Sequence, residues 1–92
     1  MIDVSSRNLV WVDVHVQESK RRSTQKSREL AMMTLHLRFL KWTLDNDIMP
    51  VAMGSSGPLG WSNGYRKKTA RRVLAWLRRQ PEIREGKIGP RV

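Results

Sequence analysis

Hydrophobic and polar positions alternate from Leu9 to Gln17: Val10, Val12, Val14 and Val16 fall on one side, and Trp11, Asp13, His15 and Gln17 on the other. A period of two with β-branched residues on one side predicts a strand over 9–17. A single strand has no stability of its own, so it must pair within the chain, with a second copy, or with another protein. No other segment alternates as clearly.

Residues 18–28 are polar, basic and without period. The spacing then becomes helical and predicts a helix over 29–46, the longest in the chain. Leu30, Met33, Leu37, Leu40 and Leu44 form one apolar stripe, and Met32, Leu35, Phe39 and Trp42 form a second nearly opposite. Only narrow polar seams separate them, so both sides of this helix call for cover. Such a helix is either the central element of the fold, which is the expectation, or a bridge from its own core to another subunit. Asp45-Asn46-Asp47 ends it, with Asn46 suited to the left-handed cap and Pro50 barring continuation.

Residues 50–64 hold Gly54, Gly57, Gly60, Gly64, Pro58 and three serines, the composition of a loop. Val51, Met53, Leu59 and Trp61 can pin this loop down or fold it into a short hairpin, and a hairpin wing here would pair with 9–17. A second helix is predicted over 65–80, with Ser62 or Asn63 as N-cap and Pro81 as its stop. Its Ala70, Val73, Leu74 and Leu77 share one face, and Lys68, Arg71, Arg72 and Arg79 share the other. Residues 81–92, with Gly86, Gly89 and Pro90, read as a flexible tail. The expected fold is therefore mainly α with a short N-terminal β-strand, an α+β chain. It forms one small domain over 1–92, with two principal helices joined by a Gly/Ser-rich loop. A winged-helix-like arrangement is one version of it.

Composition narrows this further. A chain of 92 residues with 39 % hydrophobic and 28 % charged residues is globular in character, and four tryptophans give it large apolar side chains. It has no cysteine, which removes disulfides, thiolate metal sites and thiol chemistry, and fits a reducing, cytoplasmic setting. Uninterrupted apolar runs such as Leu9–Val12 are too short for a membrane span or the core of a signal peptide.

Charge changes the picture most. The 18 Lys and Arg outnumber the 8 Asp and Glu, for a net charge of +10. Two segments hold most of the cations: Lys20, Arg21, Arg22, Lys26 and Arg28, and then Arg66, Lys67, Lys68, Arg71, Arg72, Arg78 and Arg79. Neither segment contains an acid, so local ion pairs cannot neutralise them. Each cluster lies at or just before the start of a predicted helix, where cations disfavour the free fold and favour a bound phosphate. These twelve residues are the candidate nucleic-acid-binding set. The second helix set in a DNA major groove would follow helix-turn-helix logic, although the separation of the two helices exceeds that motif's short turn. Tyr65, Trp61 and Trp76 are candidates for stacking on bases, against the commoner role of such residues in a core.

Catalytic signatures are weak. His15 and His36 lie on different elements, Asp13 and His15 with Glu18 are the one set that could hold a divalent metal, and the glycine-rich segment lacks a phosphate-loop ending. The expectation is a non-enzymatic cytoplasmic protein without cofactor or metal. It would bind nucleic acid, DNA before RNA, in an accessory or regulatory role, with no membrane partner. Helix 30–44 is the place for a protein partner or a homodimer. The competing expectation is a small adaptor or inhibitor, of the phage type, docking its basic face on an acidic protein.

Overall fold

The alternating segment forms strand β1, Val10–Val16, with Val12 and Val14 fully buried. The computed structural model describes residues 8–17, 24–54 and 60–91. It corrects the expected mainly α architecture with one strand. The chain is an α+β domain in which β1 belongs to a four-stranded antiparallel sheet. Helix α1 (Gln25–Asp45) follows β1. Next come β2 (Ala52–Gly54) and β3 (Gly60–Tyr65), then α2 (Lys67–Arg78), the short α3 (Pro81–Arg84) and β4 (Ile88–Arg91). The sheet order is β2-β3-β1-β4, and all neighbours run antiparallel. Strands β1 and β2 are thus parallel with β3 between them, and β3 and β4 are parallel with β1 between them, two interleaved split β-α-β units. No winged helix results, because the 50–64 segment supplies strands to the main sheet.

Register shows why these weak segments become strands. Val10 pairs with Tyr65, Val12 with Asn63 and Val14 with Trp61, so the large residues of β3 join the valine side of β1. On the other flank Val16 pairs with Ile88 and Val14 with Pro90, which puts buried Ile88 on the same side. Pro90 is tolerated because β4 is an edge strand. Residues 81–92, expected as a flexible tail, contain α3 and β4 instead. The turn between them needs Gly86, whose φ of 77° is left-handed.

Both long helices cover the valine side. Helix α1 contributes Met32, Leu35 and Phe39, and α2 contributes Ala70, Val73 and Leu77, to one buried cluster with Val12, Val14, Tyr65 and Ile88. Phe39 is the hub of its aromatic part, with ring centroids 4.9 Å from Trp61, 5.7 Å from Trp76 and 6.2 Å from Trp42. Trp42 stacks on Trp76 at 5.1 Å and His36 on Trp61 at 4.5 Å, so α1 is joined through rings to both β3 and α2.

The ends of α1 differ from expectation. The helix begins before residue 29, where Thr24 caps it by accepting a hydrogen bond from the Ser27 amide at 3.0 Å. At its other end Asp47, with φ 57°, takes the left-handed position, while the Asn46 side chain donates to the Trp42 carbonyl at 2.8 Å. Nor is α1 the central element. Its Met32 stripe faces the sheet, and Leu30, Met33, Leu37, Leu40 and Leu44 stand in solvent. Tyr65 closes β3 instead of opening α2. Ser62 and Asn63 lie in β3 as well, and Arg66 takes the N-cap position of α2 without a side-chain capping bond.

One ion pair ties α1 to the short third helix. Arg38 Nη1 donates to Glu82 Oε2 at 2.8 Å, and its Nη2 reaches the other Glu82 oxygen and Gln80 Oε1. Burial pushes the Glu82 carboxyl up. The Arg38 hydrogen bond, its own backbone amide and the charges of Arg38 and Lys87 outweigh that and hold it below the usual 4.5. Its stabilisation is therefore full above about pH 4.5 and is lost as pH falls through the lower folded value. Replacing Arg38 with Ala leaves Glu82 unpaired and should cost about 2 kcal/mol in urea denaturation. Glu82→Gln should flatten the loss of stability on acidification below about pH 4.5. His36 shifts for a different reason: burial against Trp61 lowers it from 6.5. Protonation then favours the unfolded chain, so stability should decline as pH drops below about 6.5, and His36→Phe, which keeps a ring on Trp61, should remove that decline in tryptophan-monitored unfolding.

Candidate nucleic-acid interface

Helix α2 divides sharply into two faces. Ala70, Val73 and Leu77 are buried against the sheet, and Pro81 follows the helix end to prevent its extension. Arg66, Lys67, Lys68, Arg71, Arg72, Arg78 and Arg79 are all exposed. None of the seven forms an ion pair among the described residues. Among the described residues only Arg72 of the seven has a neutral hydrogen-bond contact, its Nη2 lying 3.5 Å from Asn46 Oδ1 at the end of α1.

The start of α2 concentrates this charge. No acid lies in its first turn, and Arg66, Lys67 and Lys68 surround backbone N–H groups that already carry the positive end of the helix dipole. Each such cation costs the free fold a few tenths of a kcal/mol, and the same arrangement attracts an anion. Along the helix, Lys68, Arg71, Arg72 and Arg79 form a row over roughly 16 Å, suited to several successive phosphates of a duplex.

The first cluster is placed less favourably. Lys20, Arg21 and Arg22 lie outside the described residues. Lys26 is exposed on the first turn of α1, but Arg28 lies on the core face of that helix, nearly buried, with its Nη2 donating to Gln25 Oε1 at 3.0 Å. The periodic register explains this: Arg28 is four residues before Met32 and falls on the same side of α1.

The three aromatic side chains considered for base stacking belong to the core. Tyr65 is buried, with its hydroxyl accepting a hydrogen bond from Asn63 Nδ2 at 3.0 Å, and burial raises its pKa above 10 although Asn63 opposes this. Trp61 and Trp76 are held in the ring cluster around Phe39.

The sheet face away from the helices carries Trp11, Asp13 and His15, with Ser62 and Arg91 opposite Asp13. Trp11 spans three strands because its neighbours are glycines. A Cβ on Gly64 would come within 3.2 Å of the indole, and one on Gly54 within 3.3 Å. Asp13 Oδ1 lies 4.0 Å from His15 Nδ1, and Arg91 Nη2 lies 3.5 Å from His15 Nε2. Glu18, the third member of the metal set considered from sequence, is outside the described residues. Among those residues no group of three His, Asp or Glu side chains is placed to hold a metal. Alternation alone put Trp11, Asp13 and His15 on one face, but Arg91 joins them only through the pairing of β1 with β4.

A cavity of about 300 Å³ opens between the second half of α1 and β2–β3, lined by His36, Phe39, Leu40, Met53, Trp61 and Tyr65 among others. No helix among the described residues is long and apolar enough to cross a membrane. Comparison with known proteins adds no relative: no family model matches the chain, and no curated protein or solved structure does so either.

Proposed function

We propose that this protein binds nucleic acid, duplex DNA in preference to RNA, as an accessory or regulatory protein without catalytic activity of its own. Its contact is electrostatic, through the phosphates and the outer face of α2. The observation that carries the reading is the set of seven exposed cations of α2, none in an ion pair among the described residues. Solubility alone does not call for an acid-free helix face in a chain whose net charge is already +10. Arginine predominates in that set, and its planar fork holds a phosphate or a guanine edge with two hydrogen bonds. The sheet and the Phe39 ring cluster hold the opposite side of α2 rigidly, so its cationic row keeps a fixed spacing.

A second reading, a small adaptor or inhibitor whose basic face meets an acidic protein, rests on the same exposed cations of α2. Salt dependence and partner recovery separate the two. Titration of the full chain against a short DNA duplex should give log affinity falling with log salt at a slope near −4.5, the value for about five neutralised phosphates. Replacing Lys68, Arg71 and Arg72 together with Ala should lower that slope by about three and weaken binding at least tenfold, with circular dichroism unchanged. Absence of binding at about 50 mM salt would overturn the proposal. Recovery of one stoichiometric acidic protein after nuclease treatment would favour the second reading.

A further inference from the structure

We infer that the protein self-associates through the outer face of α1, its partner there being a second copy of this chain packed helix against helix. Leu30, Met33, Leu37, Leu40 and Leu44 are between 46 % and 81 % exposed on that face. Beyond the helix end Met49, Val51 and Met53 are exposed as well, and Met53 lines one cavity with Leu40 of the stripe. Soluble monomers rarely leave so many large apolar side chains side by side in water.

The spacing identifies the occupant. The five stripe residues follow one another at intervals of three, four, three and four. This 3.5-residue repeat makes a narrow seam that fits a second helix with the same repeat, each side chain entering a gap between four others. Among the described elements α1 alone presents such a seam in solvent, since α2 turns its apolar face to the sheet. The matching surface is therefore α1 of another copy.

Charge points the same way. Two molecules of net charge +10 repel, most strongly where α2 faces α2. From Leu30 to Leu44 the stripe carries no charged residue, and Lys41 beside it is paired with Asp45 at 3.2 Å; Lys26, one turn before Leu30, is the exposed cation at its end. An acidic protein or an anionic lipid surface would find its attraction on α2, not on this neutral seam.

The surface also offers the recess that its own projections need. Leu40 belongs to the stripe and, with Thr43 and Met53, lines the cavity of about 300 Å³ between α1 and β2–β3. A two-fold contact uses one patch twice, so projecting and receiving features must sit together on it, as they do here. Helix α1 is about 30 Å long, and with the Met49–Met53 shoulder the contact buries on the order of 1,000 Å² in total, the lower end for a specific interface. A contact at this lower end is of the weak, concentration-dependent class, so association is expected at about 1 to 100 µM, with packing quality rather than area setting its strength.

Sedimentation equilibrium of the full chain tests this. The mass should rise from 10.7 kDa toward twice that value between about 1 and 200 µM. Leu37→Glu places a charge in the middle of the seam at a residue 70 % exposed, so it should raise the dissociation constant at least tenfold without altering the circular dichroism spectrum. Because the chain lacks cysteine, Leu37→Cys should yield dimers with a short thiol-reactive crosslinker, and Arg71→Cys on α2 should not. A wild-type chain that stays monomeric at about 200 µM overturns the inference. So does a dimer that Leu37→Glu leaves intact, or crosslinking that is equal at the two positions.

Discussion

The pairing of β1 on both of its edges is the constraint from which the rest of the structure follows. Among the described strands β1 alone has residues that favour the extended state by themselves, and it lies between β3 and β4. Its valine side fixes which residues of those strands turn inward: Tyr65, Asn63 and Trp61 on one flank, Ile88 and Pro90 on the other. A slip of one residue would put Gly64 and Ser62 in the core and send Tyr65 and Trp61 out, so the register is strongly specified despite the low strand propensity of β3. Once Trp61 is inside, the ring cluster around Phe39 positions α1, and Trp76 positions α2.

The helix layer then presents two unlike outer surfaces. Helix α2 carries cations whose mutual repulsion opposes folding, and its buried Val73 and Leu77 offset that cost. On α1, Arg38 is paired with Glu82 and Lys41 with Asp45, so the outer face from Leu30 to Leu44 is dominated by the apolar seam, with the exposed Lys26 at its start. The proposed dimer buries the second surface and leaves the first open, so each assembly would carry two α2 faces for a polyanion. Separation of these two roles on neighbouring helices is possible because each helix packs one face on the sheet, α1 with Met32, Leu35 and Phe39 and α2 with Ala70, Val73 and Leu77, and turns the other outward.

Much of this was legible in the sequence wherever one residue pattern decided the outcome. The β1 alternation, the two stripes of α1 and the two faces of α2 could all be read from spacing. The possibility that residues 50–64 form a hairpin pairing with 9–17 could also be stated, although the loop composition argued against it. The other strands were hidden for a physical reason. Gly60-Trp61-Ser62-Asn63-Gly64 and Ile88-Gly89-Pro90 have little intrinsic preference for extension, and tertiary pairing with β1 overrides it. Of the candidate site, the α2 cations were visible as a run without acids. That Arg28 turns inward needed the true start of α1, and that Trp61 and Trp76 are core residues needed the position of Phe39.

The position of β1 in the sheet also governs how the chain must find its fold. Its two hydrogen-bonded neighbours begin at residues 60 and 88, so a strand completed by residue 16 must wait for distant chain before either edge is satisfied. Closing loops of that length is slow compared with forming α1 or α2, which places this protein among topologies that fold late and depend on non-local contacts. During that interval the valine-rich edge of β1 and the uncovered seam of α1 are both open to other chains. The same strand that organises the finished molecule is therefore a point of exposure to aggregation while it is being made.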